Sequence, residues 1–196
     1  MADGSKHPGL LLVLVGPSGV GKSTISRILA ERLHVSYTVS VTTRPKSPHD
    51  DKGKTYEHVT RDEFFRRLDA NEYLEYAQVY DDYYATPKHP ALDYLQAGRD
   101  VLLEIDFQGA MQVRYHYPDS LLLFILPPDE QALNDRLTKR GRDTPDAVQK
   151  RFRAAKREIA MAKGSRAFDY MVINDNLDAA VDEIVKIVHH KRTEHE

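Results

Sequence analysis

Leu10-Leu11-Leu12-Val13-Leu14-Val15 runs without a polar residue into Gly16-Pro17-Ser18-Gly19-Val20-Gly21-Lys22-Ser23. A continuous apolar run of this kind suits a strand buried on both faces, as in a parallel sheet. Directly after it, Ile25, Ile28, Leu29 and Leu33 fall on one face of a helix predicted over Lys22–Leu33. Strand, glycine-rich turn and helix thus follow one another, the context in which the Walker A pattern is a phosphate loop rather than a connecting turn. Its glycines let the backbone bend around phosphate oxygens, its N–H groups point inward, and the helix amino end adds partial positive charge. In such a loop the lysine, here Lys22, reaches the β- and γ-phosphates, and the serine, here Ser23, ligates magnesium. The stretch points to a bound nucleoside triphosphate and says little about any acceptor.

Working outward, Val101–Ile105, Leu121–Leu126 and Tyr170–Ile173 are further short apolar runs, and helical patterns follow them, the clearest at Ala179–Val188. Strands alternating with helices predict an α/β fold: a doubly wound parallel sheet with helices on both faces and ligands at the carboxyl ends of the strands. Two stretches interrupt the alternation. Residues from about 40 to 87 mix β-like pieces at Tyr56–Val59 and Tyr73–Tyr80 with a helix around Asp62–Leu68, and read as an inserted acceptor-binding subdomain. Residues from about 129 to 163 are helical and rich in arginine, broken at Gly141, and read as a lid. The core of a single domain is then left to about 10–39, 88–128 and 164–192.

Composition narrows the choices. With 28 basic and 30 acidic residues the net charge is −2, so no overall positive field draws nucleic acid, and an anion site must be local. The absence of cysteine removes disulfides, thiolate zinc sites and thiol catalysis, and suits a cytoplasmic setting. No run is long enough to span a bilayer, and the polar first residues read as an arm rather than a signal peptide. His189, His190 and His195 sit on a charged tail and read as solvated.

Beyond the loop come, in order, Thr42-Thr43-Arg44-Pro45, Gly53 with Tyr56, Glu75-Tyr76-Ala77-Gln78, Tyr83-Tyr84-Ala85-Thr86-Pro87, Glu104-Ile105-Asp106-Phe107-Gln108-Gly109, Arg136 with Arg140-Gly141, and Val172-Ile173-Asn174-Asp175. In the order and spacing of these motifs the chain resembles the guanylate kinases along nearly its whole length, which implies transfer of a phosphoryl group from ATP to GMP, and to dGMP, with Mg2+. The resemblance implies that Ser40, Glu75, Thr86 and Asp106 surround the guanine, and that Arg44, Tyr56 and Tyr84 hold the GMP phosphate. By the same resemblance Gly16 to Ser23 (Gly16, Pro17, Ser18, Gly19, Val20, Gly21, Lys22, Ser23) and Asn174 contact ATP. Glu104 is assigned to the magnesium water shell. Lys22, Arg44, Arg136, Arg140 and Arg151 are the candidates for neutralising the transferring charge, whereas Arg142 reads sooner as part of a solvated helical face.

Chemistry gives independent reasons for two of these assignments. Guanine offers N1–H and its 2-amino group as adjacent donors to one carboxylate, whereas adenine offers a bare acceptor at N1, so a buried Glu75 would be left unpaired against AMP. Arginine forks suit phosphate geometry. Glu104 and Asp106, two apart at the end of a strand, are expected on one face of it, with helix capping as the alternative role for such an acid. Three departures from the family pattern, Ser47 where a second arginine is usual, His49-Asp50, and Ala85, bear on GMP affinity. They leave room for another phosphorylated acceptor such as a ribose phosphate, and a non-catalytic binding module of the same fold is the rival outside enzymes.

Overall fold

The computed structural model describes residues 8–46, 56–139 and 144–193. Its elements run β1 (Leu11–Val15), α1 (Lys22–Leu33), β2 (Ser36–Tyr37), β3 (Val41–Thr42), β4 (Glu57–His58), α2 (Arg61–Asp69), β5 (Tyr73–Val79), β6 (Asp82–Pro87), α3 (Lys88–Gln96), β7 (Val101–Glu104), α4 (Phe107–His116), β8 (Leu121–Leu126), α5 (Glu130–Lys139), α6 (Pro145–Ser165), β9 (Tyr170–Ile173) and α7 (Leu177–Thr193).

Five strands form a parallel sheet in the order β2-β7-β1-β8-β9. Along β1 the side chains alternate between two cores, as the two-residue period of a strand requires. Leu12 and Leu14 pack with Ile25 and Leu29 of α1 and Ile184 and Val188 of α7. Leu11, Val13 and Val15 pack on the other face with Leu95, Ala110, Val113 and Phe124. Because both faces are covered by helices, every position of β1 is buried, which is why the strand reads as an unbroken apolar run.

A second sheet, β4-β3-β6-β5, is mixed: β3 runs parallel to β4, while β6 is antiparallel to both β3 and β5. Its own small core is Val41, Phe64, Tyr73 and Ala85. The helix expected near Asp62–Leu68 is α2, capped by Thr60, whose side chain accepts from the Glu63 N–H. The β-like piece at Tyr56–Val59 is only the two-residue β4. Strands β2 and β3 carry no periodic signal in two residues, and β6 is longer than the motif that marks it.

Within the arginine-rich stretch, α5 and α6 are separate helices, and α6 begins on a Thr144 cap with Pro145 in its first turn. The expected break at Gly141, and Arg140, Arg142, Ser47, His49, Asp50, Gly53 and His195, lie outside the described residues.

Candidate functional site

A cleft of about 660 Å3 opens where the carboxyl ends of the parallel strands, the second sheet and α6 face one another. Most of the expected site residues line it together: the phosphate-loop residues except Val20, with Ser40, Tyr56, Glu75, Tyr84, Glu104, Asp106 and Arg151.

The loop follows β1 and closes on α1. Gly16 has φ 148° and Gly21 φ 94°, conformations that favour glycine. A Cβ at Gly16 would stand 2.6 Å from the Ile125 carbonyl, and one at Gly21 would stand 2.6 Å from Asn174 Nδ2 and displace that side chain. Lys22 Nζ donates to the carbonyls of Gly16 and of Pro17, the latter at 3.0 Å. Ser23 Oγ donates to Glu104 Oε1 at 2.8 Å, and the Tyr37 hydroxyl approaches Glu104 Oε2 at 3.5 Å. A hydroxyl and a carboxylate make a hard, all-oxygen set. That set fits Mg2+, which takes few protein ligands and fills its octahedron with water and phosphate oxygens.

Across the cleft, β5 and β6 set Glu75 opposite Thr86. Glu75 is only 4% exposed, and Thr86 Oγ1 donates to its Oε1 at 2.6 Å. Gly109 of α4 lies so close behind that a Cβ there would sit 2.1 Å from Glu75 Oε2. Thr86 therefore acts behind Glu75, fixing one oxygen of the carboxylate. Tyr56 and Tyr84 meet edge to face at 5.9 Å, and the Arg44 guanidinium stands 5.7 Å from the Tyr56 ring centre. Burial raises the Tyr84 hydroxyl above its usual pKa, opposed by Arg44 and by Thr42. These aromatics and the arginine gather as one cluster at the rim of the cleft.

The two acids after β7 part company. The strand ends at Glu104, so Asp106 is not on its face; it caps α4 instead, its Oδ1 accepting from the Gly109 N–H at 2.9 Å. Gln108 Nε2 donates to its other oxygen at 3.3 Å. Burial raises the Asp106 pKa, while these donors and Lys22 hold it down.

The remaining candidates stand apart. Arg136 of α5 donates through Nη2 to the Asn174 carbonyl at 2.8 Å, and its Nη1 is buried without a hydrogen-bond partner among the described residues. Asn174 Nδ2 donates to the Val20 carbonyl at 2.7 Å, tying the end of β9 to the phosphate loop. Sequence reasoning missed Tyr37 and Glu158, and held Gly109 only as the end of a motif without a role of its own. Glu158 of α6 enters the cleft, where burial raises its pKa, Lys22 lowers it and Asp106 raises it further. No periodic or spacing signal marks Tyr37 or Glu158, because each reaches the cleft only when distant segments fold together.

The family model for guanylate kinase matches residues 9–191. A guanylate kinase of Thiobacillus denitrificans is 43% identical over 188 residues, covering 95% of this chain and 88% of its own. One from Clostridium tetani is 40% identical over 180 residues, covering 92% and 85%. The crystal structure of guanylate kinase from Anaplasma phagocytophilum superposes with a TM-score of 0.77 at 30% identity, covering 97% of this chain and 88% of that one. By fold, cleft and sequence together, the chain belongs to the guanylate kinase family.

Proposed function

We propose that this enzyme transfers the γ-phosphoryl group of ATP to GMP, and to dGMP, giving ADP and GDP in a cytoplasmic setting. The observation that carries the acceptor assignment is the buried Glu75, held by Thr86 in the same cleft as Lys22. A desolvated carboxylate lining the cleft pairs with the adjacent donors of guanine, and adenine offers it no such pair. No helix among the described residues is long and apolar enough to cross a membrane.

Residues 40–87 serve in this reading as the acceptor subdomain and 129–163 as the lid. The attacking atom is a phosphate oxygen of GMP, anionic at neutral pH, so no general base is required. The obstacle is the repulsion between two anions, and catalysis consists of positioning and charge neutralisation. Lys22 grips the β- and γ-phosphates from the loop. Arg44, with the Tyr56 and Tyr84 hydroxyls, steadies the GMP phosphate, and Asp106 and Ser40 take further guanine contacts. Arg151 from α6, with Arg136 and Arg140, supplies positive charge to the transferring group, and closure of the lid excludes water from competing for it. Ser23 and Glu104 would hold Mg2+, Glu104 through water, and the ion would supply charge neutralisation between the β- and γ-phosphates. Asn174 contacts the adenine side while keeping its bond to the loop.

An acceptor panel tests this directly: ATP and Mg2+ with GMP, dGMP, AMP or ribose 5-phosphate, followed by product chromatography. GDP formation from GMP with little product from AMP is the expected result. Turnover of a ribose phosphate without turnover of GMP overturns the assignment, and failure of the protein to bind ATP points to a binding module.

A further inference from the structure

Four non-glycine residues described in the structure have positive φ: His34, Asn71, Tyr80 and Arg166. His34 and Arg166 cap the ends of α1 and α6, and Asn71 follows α2, all settings where a left-handed residue is common. Tyr80 is different. It sits at the tip of the β5–β6 hairpin with φ 58°, where glycine or asparagine would adopt the same backbone at lower cost.

The surroundings hold it there. Gln78 Nε2 donates to the Tyr80 carbonyl at 3.1 Å, and Arg61 of α2 donates to the Asp81 carbonyl at 2.5 Å. Gln108 of α4 donates to the Gln78 carbonyl at 3.2 Å, bracing the hairpin from behind. A strained conformation kept by so many supports is the pattern seen where the side chain has a task. The residue is 55% exposed, so its own burial does not explain it. Its cationic neighbour is Lys150 of α6, with Nζ 5.7 Å from the ring centre. The next residue on that helix, Arg151, lines the cleft.

We infer that Tyr80 is a positioning residue: its ring holds Lys150 by a cation–π contact, latching the second sheet to α6 so that Arg151 is brought over the transferring phosphoryl group. This inference rests on the phosphoryl-transfer reading of the cleft. The latch joins the second sheet to α6 at the cleft that Tyr80 and Arg151 both line.

The test uses the full chain with ATP, Mg2+ and GMP, reading kcat, the Kd of each nucleotide alone, and the thermal midpoint. An exposed cation–π contact is weak, so Tyr80→Gly is expected to lower kcat by about 2- to 5-fold. The Kd for ATP stays unchanged and the thermal midpoint is level or higher, because glycine relieves the backbone. Tyr80→Phe keeps the ring and restores wild-type kcat. Lys150→Gln reproduces the loss, and the double variant is no worse than either single one. An unchanged kcat in Tyr80→Gly overturns the latch. So do additive losses in the double variant, failure of phenylalanine to restore kcat, and a kcat loss that merely follows a falling thermal midpoint. If the wild-type enzyme does not turn over GMP, it is the phosphoryl-transfer reading that falls, a result separable from a working enzyme indifferent to Tyr80.

Discussion

The parallel sheet and the mixed sheet face the same cleft, but they contribute to it in different ways. At the phosphate loop the backbone does most of the work: glycine conformations, N–H groups and the start of α1 form a continuous local structure on a deep two-sided core. On the mixed sheet the side chains do the work, brought from separate segments onto a core as small as Val41, Phe64, Tyr73 and Ala85. The phosphate-loop side is therefore local and deeply supported, and the mixed-sheet side is thin and assembled.

Breaking the thin side should give the largest effect. Phe64 is fully buried in that small core, and Phe64→Ala is expected to cost about 3–5 kcal/mol, concentrated in the mixed sheet. GMP turnover should vanish while ATP binding by titration survives; loss of both together would mean that the two sheets unfold as one unit. On the donor side, Lys22→Ala is expected to lower kcat by about 10³-fold with the fold and GMP binding kept, as removing one preorganised charge contact does. Circular dichroism and GMP titration alongside kinetics check it.

A subtler probe sharpens the contrast. In Gly109→Ala the new Cβ would meet Glu75 Oε2 at 2.1 Å and push the carboxylate aside. KM for GMP should rise by about 10- to 100-fold, the worth of a charge-assisted hydrogen bond, with KM for ATP unchanged. Equal effects on both substrates would show that the donor and acceptor sides are not separable.

The smallest expected effect concerns Glu158, whose carboxyl is pushed above its usual pKa chiefly by burial. A carboxyl raised on folding binds its proton more readily in the native state, so at neutral pH its ionised form destabilises the fold. That penalty fades as pH falls below both the raised and the ordinary carboxylate values. Glu158→Gln should therefore raise the thermal midpoint of the ligand-free protein slightly near pH 7, and the gain should shrink as pH is lowered. A gain that persists undiminished at acid pH would assign the effect to packing.

The same contrast governs what could be read in advance. Lys22–Leu33 and Leu121–Leu126 match their expected limits because a buried strand and an amphipathic helix write their periods into contiguous residues. Glu75 and Thr86 come to one site in the sequence only through the ordered motifs of a resembling family, and their hydrogen bond appears only in the fold, since residues on neighbouring strands leave no mark on each other's sequence. Asp106 was expected on a strand face, but the chain turns into α4 one residue sooner than the apolar run suggests, and the acid becomes a cap. Tyr80 looked like the end of a strand; only the backbone angle and the arrival of Lys150 from α6 give it another meaning.

The bond from Lys22 to the Pro17 carbonyl has a kinetic corollary. An incoming triphosphate meets an ammonium already solvated by peptide oxygens, so its arrival is an exchange of one oxygen shell for another, and collision alone does not complete it. A short anion offers that ammonium a poor replacement, whereas a chain of phosphates offers several oxygens at once. In the proposed reaction the loop's own carbonyls would hold the place of the phosphate oxygens until the triphosphate arrives.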